Sequence, residues 1–212
     1  MLDKYQKKYL RRAKIVASLL SLVPFVRGVF LNGSLAQGKA NQDSDIDFLI
    51  VVRKNRLYSG RFFATGLVHL TGLRRYGKEI AGRICLNRYQ TEDYLVISPQ
   101  DKKNAHHHSF TINLWARGNL YQNFIDANFW MEKFGYKMRK NDQKMQIYFY
   151  PLFLLQFIFE LIFELIFNDF GEKILKKYQV KKILNNPLTK KADKGEIFIS
   201  DTELRFHPLK KP

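Results

Sequence analysis

Phe30-Leu31-Asn32-Gly33-Ser34-Leu35-Ala36-Gln37-Gly38 is followed, after a short polar loop, by Asp43-Ser44-Asp45-Ile46-Asp47-Phe48-Leu49-Ile50. The two halves carry complementary chemistry. Phe25 to Leu31 is a short apolar run that predicts a strand, and Gly33-Ser34 breaks it. Asp45 to Val52 predicts a second strand, the best defined in the chain. Side chains alternate faces along a strand, so Asp45 and Asp47 project together while Ile46 and Phe48 turn toward a core. Two carboxylates on one face repel unless a cation lies between them. Mg²⁺ suits such a pair and also binds phosphate oxygens. Gly33 lets backbone approach a phosphate without a Cβ, Ser34 offers a hydroxyl and an N–H, and Gly38 gives the loop a second permissive point. Ten residues separate Ser34 from Asp45.

Working outward, Asp3 to Leu22 predicts a helix whose Leu10, Ala13, Val16, Ala17 and Leu20 recur at helical spacing, ended by Pro24. Leu35 to Lys39 begins a further helix. Tyr58 to Arg75 predicts another, and Arg83 to Tyr89 and Tyr94 to Ile97 predict strands around a Thr91-Glu92-Asp93 turn. This order defines an α+β unit over residues 1–100. The aromatics between Asn104 and Phe134 fall at helical spacing and predict a helical segment with a break at Gly118. Ile147 to Phe167 is a nearly continuous apolar run in which Gln156, Glu160 and Glu164, spaced by four, form one stripe. A packed helix is the first reading of it. A membrane-surface or dimerising helix comes second, and a span last, because a carboxylate at mid-bilayer costs roughly 2.5 kcal/mol or more. We therefore divide the chain into 1–100, a helical region 101–184 with its hydrophobic helix at 147–167, and a basic tail 185–212 carrying a short strand at Glu196 to Ser200.

The formal net charge of the 212 residues is +17. Such an excess favours polyanionic partners, and nucleic acid, nucleotide phosphates or an anionic membrane surface all qualify. Lys7, Lys8, Arg11 and Arg12 on the first helix fit a nucleic-acid backbone as well as they fit a solvated face. Arg74, Arg75 and Lys78 are candidate phosphate contacts. The lone Cys85 rules out an internal disulfide, suits a reducing, cytoplasmic setting, and reads as a structural thiol. No clear secretory signal precedes the first helix. His106-His107-His108 point in different directions on a helix, so a shared metal is not expected; an exposed helix start is. His69 reads as a packed histidine.

Gly33-Ser34, the spacer, and Asp45-Ile46-Asp47-Phe48 together resemble the signature of the DNA polymerase β-like nucleotidyltransferase superfamily. The match is closest to small bacterial and archaeal members, among them minimal nucleotidyltransferases paired with HEPN toxins, bordering the aminoglycoside nucleotidyltransferases. The resemblance covers roughly residues 15–100 and implies Mg²⁺-dependent transfer of a nucleoside monophosphate from an NTP, ATP in our reading. Asp45 and Asp47 would be the catalytic metal ligands, with two ions if active, and Gly33, Ser34 and Gly38 would hold the nucleotide. The acceptor would be a hydroxyl on RNA, a protein or a small molecule. Many members carry a third carboxylate on a later strand. Here Asn87 occupies that position, and the spacing selects none of Glu79, Glu92 or Asp93 to replace it. The same residues admit a second reading: a catalytically degenerate binding module of this fold, RNA-binding or antitoxin-like.

Overall fold

The computed structural model describes residues 4–140, 150–166, 168–191 and 197–206. Val26–Asn32 (β1) and Ile46–Val52 (β2) are apolar and lie at the centre of the sheet, where nearly every residue is buried. They pair antiparallel, with Asn32 opposite Asp47. The connection between them holds one helical turn, Gly33–Ala36 (α2). Leu57–Leu70 (α3) then crosses over so that Ile84–Thr91 (β3) lies parallel to β2. Three more strands complete the sheet: Ile112–Ala116 (β4), Ile197–Ile199 (β5) and Glu203–Phe206 (β6). The order is β4-β1-β2-β3-β6-β5, a six-stranded mixed sheet in an α+β fold.

Each face of the sheet has its own core. Leu31, Ile46, Phe48, Ile50 and Val52 cluster with residues of Lys4–Leu20 (α1) and α3. Phe30, Leu49 and Val51 cluster on the other face with Leu120–Ala127 (α5) and a 3-10 turn at Phe129–Phe134. Lys102–Ser109 (α4) packs beside that turn.

Two local expectations fail, each for a tertiary reason, while the strand expected at Glu196 to Ser200 forms as β5. The aromatic spacing at 104–134 predicts a helical segment broken at Gly118, yet β4 interrupts it earlier, because β1 has an edge whose N–H and C=O groups β4 satisfies. Tyr94 to Ile97 is no strand. Its backbone is bonded by side chains instead: Gln90 donates to Val96 O (2.8 Å), Asn128 Nδ2 to Leu95 O (2.8 Å), and Asn128 Oδ1 accepts from Ile97 N (2.8 Å). Within the segment read as a basic tail, β6 joins β3, and Glu203 takes the Arg88 guanidinium at 2.6–2.7 Å. Strands from all three sequence regions thus share one sheet.

Tyr150–Ile166 (α6) packs through its polar stripe. Gln156 Nε2 donates to Val23 O (2.9 Å) and Val26 O (2.8 Å). Glu160 accepts from Phe25 N (3.0 Å) and from both terminal nitrogens of Arg27 (2.5 and 3.0 Å). Glu164 takes Arg53 (2.9 Å) and Arg56. Its apolar residues, Leu154, Phe157, Leu161 and Leu165 among them, remain exposed. Among the described residues no helix is long and apolar enough to cross a membrane. Asp169–Leu184 (α7) supplies what α3 lacks. No side chain of α3's own N-cap residue bonds its first turn, and Glu172 accepts from Tyr58 N (2.7 Å) and Ser59 N (3.0 Å) there. The short helix Pro187–Lys190 (α8) follows.

Candidate active site

The end of β1 and the start of β2 meet where the sequence places its acids. Asn32 is tied by its Oδ1 to Thr111 Oγ1 (2.5 Å), and the chain then turns through Gly33 at φ +71°. A Cβ on Gly33 would stand 2.0 Å from Asp47 Oδ2. Glycine is required there twice over, by the left-handed backbone and by the carboxylate pressed against it. Gln37 N to Gly33 O (3.1 Å) and Lys39 N to Ser34 O (2.9 Å) close the turn, and Gly38, also left-handed at φ +75°, ends it on the surface. Ser34 is half-buried.

Asp45 is reached through a tight loop in which Ser44 bonds Asn41 through both backbone and hydroxyl. Gly82 N donates to Ser44 O (2.7 Å) and Ile46 N to Arg83 O (2.8 Å), so the segments before β2 and before β3 are laced together. Asp45 is buried, and Asp47 is half-exposed. Arg75 Nη1 pairs with Asp45 Oδ2 at 2.6 Å and also lies 3.6 Å from Cys85 Sγ. The Cys85 thiol donates to Asn87 Oδ1 (2.6 Å), and Asn87 Nδ2 donates to Asp47. A ring of contacts therefore runs from Asp45 through Arg75, Cys85 and Asn87 to Asp47.

The geometry brings together Gly33, Asp45, Asp47 and Asn87, with Ser34 next in the turn and Gly38 at its far end. It also brings in Cys85, the residue opposite Asp47 in the β2–β3 ladder. Ligand atoms of Asp45, Asp47 and Cys85 lie within 4.8 Å of one another. Asn87 sits where the ladder slips between Phe48–Leu86 and Leu49–Arg88, so it is the extra residue of a bulge, a feature that re-aims side chains. Reading Cys85 as merely structural missed its place. The available signal was that Cys85 and Asn87, two apart, share a strand face. Arg75, expected at phosphates, instead meets a carboxylate. The histidines lie in the last turn of α4 rather than at an exposed start; His108 is buried, with Nε2 3.2 Å from Arg88 Nη1. His69 is exposed rather than packed.

The site's electrostatics are lopsided. Burial, reinforced by Asp47 and then Asp45, pushes the Cys85 thiol up to about 12 despite the opposing Arg75 charge. A protonated, soft sulfur is a poor partner for Mg²⁺, whereas the two carboxylates are the hard oxygens it takes. The acids fit Mg²⁺ as a pair, leaving its other positions to water and phosphate. Arg75 shows that the pair accepts a positive charge at this spot.

No curated protein matches the chain. A family model described as a nucleotidyltransferase domain matches residues 12–186, from within α1 to just past α7. With most of its length matched, and with a six-stranded sheet flanked by helices, the chain belongs to the nucleotidyltransferase domain family.

Proposed function

We propose that the protein is a Mg²⁺-dependent nucleotidyltransferase that moves a nucleoside monophosphate from an NTP, ATP in our reading, to an acceptor hydroxyl. The single observation that carries this reading is the closeness of Gly33 to Asp47: a turn without a side chain, directly against a carboxylate, with Asp45 alongside. Asp45 and Asp47 would hold Mg²⁺, which when bound lowers the pKa of an attacking hydroxyl and neutralises the departing pyrophosphate. The Gly33 and Ser34 N–H groups and the Ser34 hydroxyl would take the β- and γ-phosphate oxygens, with Gly38 closing the turn. The acceptor oxygen attacks the α-phosphorus in line, the P–O bond to the β-phosphate breaks, and pyrophosphate leaves. Arg75, paired with Asp45 Oδ2, holds the place of the cation until a metal is bound. A protonated lone thiol suits a reducing, cytoplasmic setting.

The rival reading, a degenerate binding module, is favoured by one observation: where the resemblance implies a third carboxylate, β3 offers the Cys85 thiol and the Asn87 amide. Incubation with α-labelled ATP and Mg²⁺ decides between them. Label transfer that disappears in Asp45→Asn supports the enzyme, and nucleotide binding without transfer to any acceptor supports the module.

A further inference from the structure

α1 carries Lys4, Lys7, Lys8, Arg11, Arg12 and Lys14 and not one acidic residue. Lys4, Lys8 and Arg12 follow one another at i, i+4, as do Lys7 and Arg11. Like charges at that spacing destabilise a helix. A solvated helix face normally interleaves signs; this one does not. Its residues Tyr9, Ala13, Val16, Ala17 and Leu20 are turned into the core, so the outer face is cationic, with Ile15 its one exposed large hydrophobic among the described residues.

Beside this face lies a cleft of about 520 Å³, lined by Tyr5, Lys8, Arg12, Gln42 and Arg83 among others. It presents three cations and a half-buried phenol ring and no carboxylate in its lining. The nearest acids are Asp43, exposed next to Gln42, and Glu79, which pairs with Arg83. The walls are firmly built. Tyr9 Oη donates to Gln42 O (2.7 Å), Tyr5 Oη to Gln42 Oε1 (3.1 Å), and Arg12 Nη1 to Gly82 O (2.5 Å). A Cβ at Gly82 would strike Tyr9 and Arg12 at 2.5 and 2.7 Å. Gln6 ties the same helix to the Gly33–Ala36 turn through Leu35 O (2.8 Å) and Ala40 N (3.2 Å).

The cleft also has a fixed relation to the acids. Gln42 stands three residues before Asp45 and Arg83 two before Cys85. At roughly 3.3–3.6 Å per residue, Gln42 lies within about 11 Å of Asp45 along the chain.

We infer that this cleft and the outer face of α1 bind the phosphodiester backbone of a single-stranded polynucleotide, with a base resting on Tyr5. Under the transferase reading, on which this clause rests, that strand is the acceptor and its terminal hydroxyl is what reaches the Asp45–Asp47 pair. Cations spaced along a helix match a chain of phosphates, and an aromatic ring accepts any base. A bilayer fits this face poorly, since α1 offers it charge without an apolar surface to insert.

The test is fluorescence anisotropy of a short labelled oligoribonucleotide, and of the DNA of the same sequence, with the full chain in EDTA at increasing KCl. Lys7, Lys8 and Arg11 are exposed, so Lys7→Gln/Lys8→Gln/Arg11→Gln leaves the fold intact, checked by an unchanged Tm. We expect it to weaken binding at low salt at least tenfold. We also expect the log Kd against log salt slope to shrink by about two, at roughly 0.7 per lost phosphate contact on a single strand. The matched change Lys173→Gln/Lys176→Gln/Lys177→Gln on α7 should leave both quantities nearly unaltered. Tighter binding of one oligonucleotide identifies RNA or DNA as the natural strand. Equal losses in both triple variants, or capture by anionic vesicles with none by oligonucleotide, would overturn the inference. Asp45→Asn separates the two proposals. It should bind the oligonucleotide as the wild type does while losing label transfer. Wild-type transfer to a small acceptor without oligonucleotide binding sinks the polynucleotide site and leaves the transferase. Oligonucleotide binding lost in the α1 variant, with no transfer by the wild type, does the reverse.

Discussion

Two pairs of carboxylates on one molecule show what separates a site from a strut. Asp45 and Asp47 are two apart at the head of a strand. Glu160 and Glu164 are four apart on a helix. In each pair the spacing puts both groups on one face. Glu160 is clamped by both terminal nitrogens of Arg27 and by the Phe25 N–H, and Glu164 by Arg53 and Arg56, so charge is matched within the protein. Asp45 meets the Arg75 guanidinium and Asp47 accepts from the Asn87 amide, and the field of the acids spreads onto the thiol between them. The difference teaches that a pair whose field reaches a neighbouring thiol, beside a turn with no side chain, is the one prepared for an outside cation.

If that contrast holds, disabling one member of each pair gives opposite phenotypes. Asp47→Asn should abolish nucleotidyl transfer: the metal's charge stabilisation is worth several kcal/mol, so the rate should fall about 10³-fold or more. Tm should stay the same or rise, because a repulsion is removed. Label-transfer assays beside calorimetry check it; residual activity near wild type would break the comparison. Glu160→Ala should do the reverse. It removes both short contacts to the terminal nitrogens of the buried Arg27, leaving its Nε 3.7 Å from Glu92, and costs about 3 kcal/mol of stability, a Tm fall of roughly 10 °C for a chain of this size, while the folded fraction keeps its nucleotide affinity. The double change Arg27→Met/Glu160→Leu should recover part of that loss, the Phe25 N–H left without its acceptor accounting for about 1–3 kcal/mol of the remainder.

The asymmetry between the pairs also governs how much the sequence reveals. Gly33-Ser34 and Asp45-x-Asp47 are legible because their chemistry is local: a glycine at positive φ and an alternation of faces need only a few neighbouring residues. The same holds for β1, β2, α1 and α3, whose apolar period matches the element each forms. What the chain hides is set across distance. β4 exists because β1 offers an edge. Asn87 is the extra residue of a bulge, and the pairing of two strands nearly forty residues apart sets Cys85 directly opposite Asp47. The stripe of Gln156, Glu160 and Glu164 is visible, but its inward direction depends on arginines more than a hundred residues away.

Arg75 sharpens the comparison further, since it already brings a positive charge to Asp45. Removing it in Arg75→Gln takes away a competitor for Asp45 Oδ2. Asp45 is buried and Arg75 only partly exposed, and such a contact is worth about 1 kcal/mol net, so Mn²⁺ affinity, followed by titration calorimetry in the absence of nucleotide, should tighten about five- to tenfold. Weaker Mn²⁺ binding would instead make Arg75 a positioning residue for Asp45.

The smallest expected effect reads the stray field itself. The Cys85 thiol is raised to about 12 from an ordinary value near 9, first by burial and then by Asp47 and Asp45. A group whose folded pKa lies above its unfolded one stabilises the fold fully below the unfolded value, and that contribution is lost as pH climbs from about 9 toward 12. Iodoacetamide should therefore alkylate the native chain slowly at pH 8, with a rate that keeps climbing past pH 10 instead of levelling off near 9. Asp47→Asn removes the larger of the two carboxylate influences and should move the whole curve to lower pH. Glu160→Gln, acting on charge already matched by Arg27, should leave it where it was. A native curve that levels off near pH 9, or one that Glu160→Gln moves as far as Asp47→Asn does, would mean that the acids at the sheet's end are as well compensated as those on α6.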